Sequence, residues 1–449
     1  MHLREKELKP RFNSLCYNRI RDSISGGQVS FLMLIHNISQ LLTLTPNPQR
    51  GSELGTLNFI EDGAVLVRNG LIEAVGKADD LERKVSPNEP RLNAGGKVVL
   101  PGFVDPHTHL VWAGDRAAEF EMRLQGKSYM EIMAAGGGIA STVSQTRAAA
   151  PSELLTQTRS RAMSMFRHGT TTAEAKSGYG LETQAEIAQL SALLELDAEG
   201  PLEISPTFLG AHAIAPEYKE DPEGYTTHIC DPMLPAVKAW WQENASGRPL
   251  PFVDVFCEAG VFSLEQTRRI LETAKNLGFP LKVHADEFEN LGGASLAAEL
   301  GATSADHLVK TSGDDIKRLA QSDTVAVALP CTPFGLAESH YTPAQAILKA
   351  GGLLAIASDI NPGTAWCESM QFVIALACRY LKLTPAQAIA AATINAAAAI
   401  QRADRIGSIT PGKQADLIIL SVPDYRHLGY RFGSNLVQRV IKKGKEFKL

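Results

Sequence analysis

The sequence predicts an α/β protein: a (β/α)₈ TIM-like barrel carrying a small β-sandwich domain built from both chain ends. Three observations carry that expectation. The middle of the chain alternates eight short apolar runs of strand character with helical stretches, which is the pattern of a parallel sheet. The alternation spans about 300 residues, and a closed barrel needs roughly 250. Both ends are instead rich in short strands and glycine turns, with no amphipathic helix between them.

The elements follow in order. Residues 1–33 hold no apolar run suited to a signal peptide, and Glu5, Glu7 and Asp22 argue against a transit peptide. They are expected to form a poorly ordered tail, with Met33 opening the first strand-like run. Residues 34–100 supply the first part of the small domain. Within it, "GAVLVRNGLIEAVG" is two apolar runs joined at Asn69-Gly70, a strong hairpin signal. Residues 101–400 form the barrel. Its strands are read from "GFVDPHTHL", "GTTTAEAKSGYG", "EISPTFLGAHA", "FVDVFCEA", "PLKVHADEF", "ATSADHL", "VAVALPCTP" and "LLAIASDINPG". Helices are expected at "SELLTQTRSRAMSMFRHG", "ETQAEIAQLSALLELDAEG", "LEQTRRILETAKNLG" and "PAQAIAAATINAAAAI". Residues 401–449 complete the small domain with "GSITPGKQADLIILS" and "VQRVIKKGKEF".

Composition narrows the function. At 449 residues, 44% hydrophobic and 21% charged, the chain has the makeup of a soluble globular protein. Its 44 basic and 49 acidic residues give a net charge of -5, so no basic surface for nucleic acid or a membrane is expected. No run of 18 apolar residues exists to span a bilayer. The six cysteines form no CxxC pair and read as reduced thiols of a cytoplasmic protein. Cys257 and Cys331 are expected to pack in the core.

Active sites of such barrels sit at the C-terminal strand ends. The ionisable residues there are His107 and His109, Lys176, His212, Glu258, His284 and Glu287, His307, and Asp359. A strand's period of two puts His107 and His109 on one face, pointing into the barrel mouth. Joined by His284 and Asp359, they make a metal site whose nitrogen and hard oxygen ligands suit Zn²⁺ or Fe²⁺. Lys176 offers either a bridging ligand, if carbamylated, or a structural charge, and the structural role is favoured. "AAGGGIAS" lacks the GK[ST] of a phosphate-binding loop and is expected to be a flexible loop at the site.

"PGFVDPHTHL", His284, His307, Asp359 and "GSITPGKQADLIIL" together resemble the amidohydrolase superfamily. The likeness runs from about residue 34 to 449. Within it, "HTHLVWAGDRAAEFEMRLQGKSYMEI", "AKSGYGL", "PTFLGAHAIAPEY", "VHADEFENLGGASLAAELGATSADHL" and "SDINPGTAWCESM" resemble the imidazolonepropionase family of histidine degradation. The resemblance implies hydrolysis of the cyclic amide of 4-imidazolone-5-propanoate to N-formimidoyl-L-glutamate. It implies one Zn²⁺ or Fe ion per chain on His107, His109, His284 and Asp359, and a homodimer. Glu287, three residues past His284, would exchange the proton between water and leaving nitrogen, a role that Asp359 could share. His307 would hydrogen-bond the water or the developing oxyanion. Arg116, Tyr179 and His212 would bind substrate, with the guanidinium matched to its carboxylate. Asn361, Gly363 and Thr364 would lie near the ring. The nearest rival is a cytosine- or guanine-type deaminase of the same superfamily; a non-catalytic scaffold would be expected to have lost ligands that this chain keeps.

Overall fold

The computed structural model describes residues 32–127, 131 and 136–448. The expected tail falls almost wholly outside them, as do Ala134 and Ala135 of the glycine-rich loop. The chain opens with β1 (Leu32–Leu41), β2 (Ile60–Arg68), β3 (Leu71–Lys77) and β4 (Arg91–Pro101). The barrel strands are β5 (Phe103–Asp105), β6 (Thr170–Lys176), β7 (Glu203–Ala211), β8 (Phe252–Cys257), β9 (Lys282–Ala285), β10 (Ser304–His307), β11 (Val325–Ala328) and β12 (Leu354–Ile356). Last come β13 (Leu417–Leu420), β14 (Val437–Lys442) and β15 (Lys445–Lys448).

The two chain ends meet in one seven-stranded sheet ordered β15-β14-β13-β4-β1-β2-β3. Its β2–β3 turn is the expected hairpin. Asn69 and Gly70 both take positive φ, 52° and 80°, as a two-residue primed turn demands. Its apolar side chains, among them Ile35, Val65, Leu92, Leu417 and Ile441, form a core of their own.

All eight runs predicted as barrel strands are strands, side by side and parallel from β5 to β12. Backbone bonds just past β5 and β12 join the two ends of this sheet. Asp359 N donates to His107 O at 3.1 Å, and His109 N donates to Ile360 O at 2.9 Å. The Asp105 carboxylate accepts from both the N–H and the hydroxyl of Ser358. The seam is therefore closed by the segments that carry the predicted ligands, which fixes those segments against each other.

Helices wrap the outside. Leu264–Asn276 shows why: Ser263 and Gln266 form a capping box, while Thr267, Ile270, Leu271 and Ala274 make one buried stripe. The run "PAQAIAAATINAAAAI" differs from the single helix its alanines predict. It forms two short helices, Pro385–Ala391 and Ile394–Ala398. At the break, Val104 N donates to Ala392 O, and the Thr393 hydroxyl donates back to Ile389 O. The barrel wall claims a carbonyl that a continuous helix would need. Among the described residues no helix is long and apolar enough to cross a membrane.

Candidate active site

The predicted ligands converge. His107 and His109 follow β5, and their Nε2 atoms lie 3.5 and 3.4 Å from Asp359 Oδ1. His284, on β9, brings its Nε2 to 3.3 Å from that of His109. The His107 and His284 rings stand 4.4 Å apart. Ligand atoms of His107, His109 and Asp359 all fall within 4.8 Å of one another, as do those of His107, His284 and His307. All five residues are buried.

The residues fit a divalent metal. His107 Nε2 and Asp359 Oδ1 are buried without a hydrogen-bond partner, and polar atoms left so are costly unless something coordinates them. On the outer side, His107 Nδ1 is hydrogen-bonded to Asp306 Oδ2 at 2.6 Å, and His284 Nδ1 lies at ion-pair distance, 3.0 Å, from Asp254 Oδ2. A proton held on Nδ1 leaves the Nε2 lone pair facing the centre. Burial, reinforced by neighbouring cations and imidazoles, holds His107, His109 and His307 well below the usual imidazole range. Neutral imidazole is the metal-binding form. Burial raises Asp359 to about 6, and its Oδ2 accepts from the Thr332 hydroxyl.

The backbone is strained at the same place. Asp286, His307 and Asp359 have φ of 55°, 79° and 56°, in the left-handed region that non-glycine residues seldom enter. Glu287 follows the first of them. Its Oε2 lies 3.6 Å from His307 Nε2. Burial, then the Asp359 carboxylate, push Glu287 well above the ordinary carboxyl range. Glu258 holds its loop by accepting from the N–H groups of Phe288 and Glu289 at 2.9 and 3.1 Å.

The predicted substrate groups line the same mouth. Arg116 sits in the loop after His109, its Nε donating to Thr142 Oγ1 at 2.9 Å. Among the described residues it forms no ion pair, and Glu119 instead accepts from Gly138 N. Gly363 makes room for it, since a Cβ there would lie 2.5 Å from Arg116 Nη1. His212 stacks on His109 at 4.7 Å and 19°. Its Nδ1 faces the carbonyl of Gly178 at 3.0 Å, a residue at φ 114° where a Cβ would crowd that ring. Tyr179 is buried with its ring 5.2 Å from His212. Asn361 is engaged by its own loop: its amide nitrogen donates to Asp359 O and Thr364 Oγ1, and its oxygen accepts from Gly363 N and Thr364 N. It shapes the turn that presents Gly363 and Thr364.

Four acids escaped the sequence reading. Asp254 and Asp306 back the two imidazoles. Glu174 accepts from Thr108 N, between the paired histidines, and Glu186 accepts from the N–H groups of Gly178, Gly180 and Leu181 around Tyr179. The available signal was an acid inside an apolar strand, as in "FVDVFC" and "ATSADHL", where burial demands a partner. Lys176 has the structural role expected, with Nζ 2.8 Å from both Glu174 and Asp254.

Residues 98–447 match the model of the Amidohydrolase family. An imidazolonepropionase of Herpetosiphon aurantiacus is 53% identical over 412 residues, covering 92% of this chain and 96% of that protein. One of Symbiobacterium thermophilum is 47% identical over 415 residues, covering 92% and 96%. Among solved structures, an E. coli guanine deaminase superposes with a TM-score of 0.64 at 17% identity, covering 93% of this chain and 99% of that one. A Klebsiella pneumoniae 5-methylcytosine deaminase gives 0.66 at 17%, covering 92% and 97%. Likeness at that identity speaks for the barrel alone, whereas the curated relatives share the sequence from end to end. The chain belongs to the imidazolonepropionase family of amidohydrolases.

Proposed function

We propose that the protein hydrolyses the cyclic amide C–N bond of 4-imidazolone-5-propanoate, giving N-formimidoyl-L-glutamate. One observation carries the reading: among the described residues, His107 Nε2 and Asp359 Oδ1 have no hydrogen-bond partner and share a mouth with the Glu287 carboxyl and with Arg116, which has no carboxylate partner there. His107, His109, His284 and Asp359 would hold one Zn²⁺ or Fe ion. Such a metal, when bound, lowers the pKa of water from about 15.7 to about 7 and polarises a carbonyl.

The chain's own groups supply the rest. Arg116 binds the propanoate tail, with Tyr179 and His212 packed beside the ring. Glu287 takes a proton as water attacks the ring carbonyl. It returns that proton to the ring nitrogen as the C–N bond breaks. Burial pushes that carboxyl above its ordinary range, the direction that favours its acid half, the return of the proton to the ring nitrogen. His307 hydrogen-bonds the developing oxyanion. Asp359 is less suited to the base role, because one oxygen is held by Thr332 and the other faces the imidazoles. A nucleobase, the substrate of the rival deaminase reading, has no carboxylate tail to match Arg116.

The test pairs elemental analysis of the purified protein with a spectroscopic assay for loss of imidazolonepropanoate. The expected result is one Zn or Fe per chain with turnover. Bound metal without turnover would remove the substrate assignment and leave the metal centre standing.

A further inference from the structure

We propose that Lys176 and Lys282 are positioning residues, each bracing an aspartate that fixes one imidazole of the centre. The inference rests on the metal reading above. It is carried by two matching rows of side chains inside the barrel. In the first, Lys176 Nζ lies 2.8 Å from Asp254 Oδ2, which lies 3.0 Å from His284 Nδ1. In the second, Lys282 Nζ lies 3.6 Å from Asp306 Oδ2, which lies 2.6 Å from His107 Nδ1. All four lysine and aspartate side chains are fully buried.

Each row is anchored at its far end. Lys176 also meets Glu174 at 2.8 Å. Glu174 in turn accepts from Thr108 N at 3.0 Å, so the first row also holds the backbone between His107 and His109. Lys282 donates to Ser304 Oγ at 2.6 Å and to Ala399 O at 3.1 Å. Asp254 has its other oxygen fixed by the N–H groups of Val255 and His284. Lys176 thus touches its aspartate directly, while Lys282, fixed by Ser304 and Ala399, stands at ion-pair distance from Asp306.

Charge explains why lysines stand there. A carboxylate buried in a barrel core needs a cation, and removing one partner of a buried pair is far costlier than never having it. Without the lysine, the aspartate's best remaining course is to turn toward another donor. The imidazole then loses the contact that sets its ring orientation. Outer partners of metal-binding histidines typically contribute 10- to 100-fold in metal affinity or activity, and the lysines act through those partners.

The experiment strips metal from the full-length protein and from Lys176→Met and Lys282→Met, then titrates each with Co²⁺. Dissociation constants and the visible Co²⁺ spectrum are read alongside the melting temperature of each metal-free protein. We expect roughly 10- to 100-fold weaker Co²⁺ binding in each variant, with a displaced spectrum. Should Lys282→Met fail to fold, Lys282→Gln removes the charge, leaves Asp306 in place and keeps an amide donor for Ser304 and Ala399, and is expected to show the same weakening. Folded variants that bind Co²⁺ like the parent, with an unchanged spectrum and only a lower melting temperature, would make the lysines core ballast and overturn the inference. A parent protein that takes no Co²⁺ would overturn the metal centre itself, which is a separate and recognisable failure.

Discussion

The two ends of the barrel both bury charge, and they treat it in opposite ways. At the N-terminal ends of the strands, Glu203 faces Arg402, Arg405, Lys442 and Lys443 at 2.7, 2.9, 3.2 and 3.4 Å. Asp416 meets the same Lys442 at 2.7 Å, and this cluster ties the terminal sheet to the barrel. At the C-terminal ends, His107 Nε2 and Asp359 Oδ1 have no hydrogen-bond partner among the described residues, and His307 and Asp359 are held at positive φ. Satisfied charge marks a joint; unsatisfied charge on a strained backbone marks a site reserved for something that binds.

The largest expected effect tests the strained end. Glu287→Gln keeps the shape and removes the proton exchange, so kcat should fall about 10²- to 10⁴-fold while metal content stays at the parent level. Turnover near that of the parent would move the role elsewhere, with Asp359 the next candidate. Melting temperature should barely change, because among the described residues the one close ionic contact of Glu287 is His307 at 3.6 Å.

The next effect tests the joint. Glu203→Gln leaves Arg402 and Lys442, the two largely buried cations of the cluster, short of a carboxylate and should cost about 3–5 kcal/mol of stability, with kcat intact. The pH profile sharpens the point. Burial alone would raise Glu203, but Lys442, Arg402 and Lys443 outweigh it and hold the carboxyl well below its ordinary 4.5. The unfolded chain therefore binds the proton first. Glu203's contribution is complete above about pH 4.5 and drains away as pH falls toward the lower folded value. Denaturant melts between pH 7 and pH 3 should show the parent losing more stability on acidification than Glu203→Gln. Parallel losses would mean that the joint does not depend on this carboxylate.

The same contrast explains what could be read from sequence. The strands, the Asn69-Gly70 hairpin and the convergence of His107, His109, His284 and Asp359 follow from local signals: period two, turn chemistry and position at strand ends. Asp254, Asp306, Glu174 and Glu203 look alike in sequence, each an acid in an apolar run. Which imidazole, ammonium or guanidinium each one meets is decided across the barrel, between residues as distant in the chain as Glu203 and Lys442. The broken helix at Ala392–Thr393 has the same cause, a carbonyl claimed by β5. Asn361 is expected near the ring, but the engagement of its amide groups by its own turn appears only in three dimensions.

The smallest expected effect compares two arginines. Arg402, at the joint, has its carboxylate in Glu203. Arg116, at the mouth, has a hydroxyl from Thr142 and the open edge of Gly363, but among the described residues no carboxylate. A guanidinium built for bidentate pairing and left without an acid is completed by one that arrives with the substrate. A hydrogen bond to a charged group contributes about 1.5–3 kcal/mol, so Arg116→Ala should raise KM roughly ten- to hundredfold. The interaction is the same in ground and transition states, so kcat should hold. Arg402→Ala should do the reverse, lowering the melting temperature and sparing KM. If Arg116→Ala instead destabilised the fold without moving KM, its bond to Thr142 would be its purpose. The carboxylate tail would then have to be read by Tyr179 and His212, of which His212 stacks on His109 and Tyr179 packs edge-on against His212.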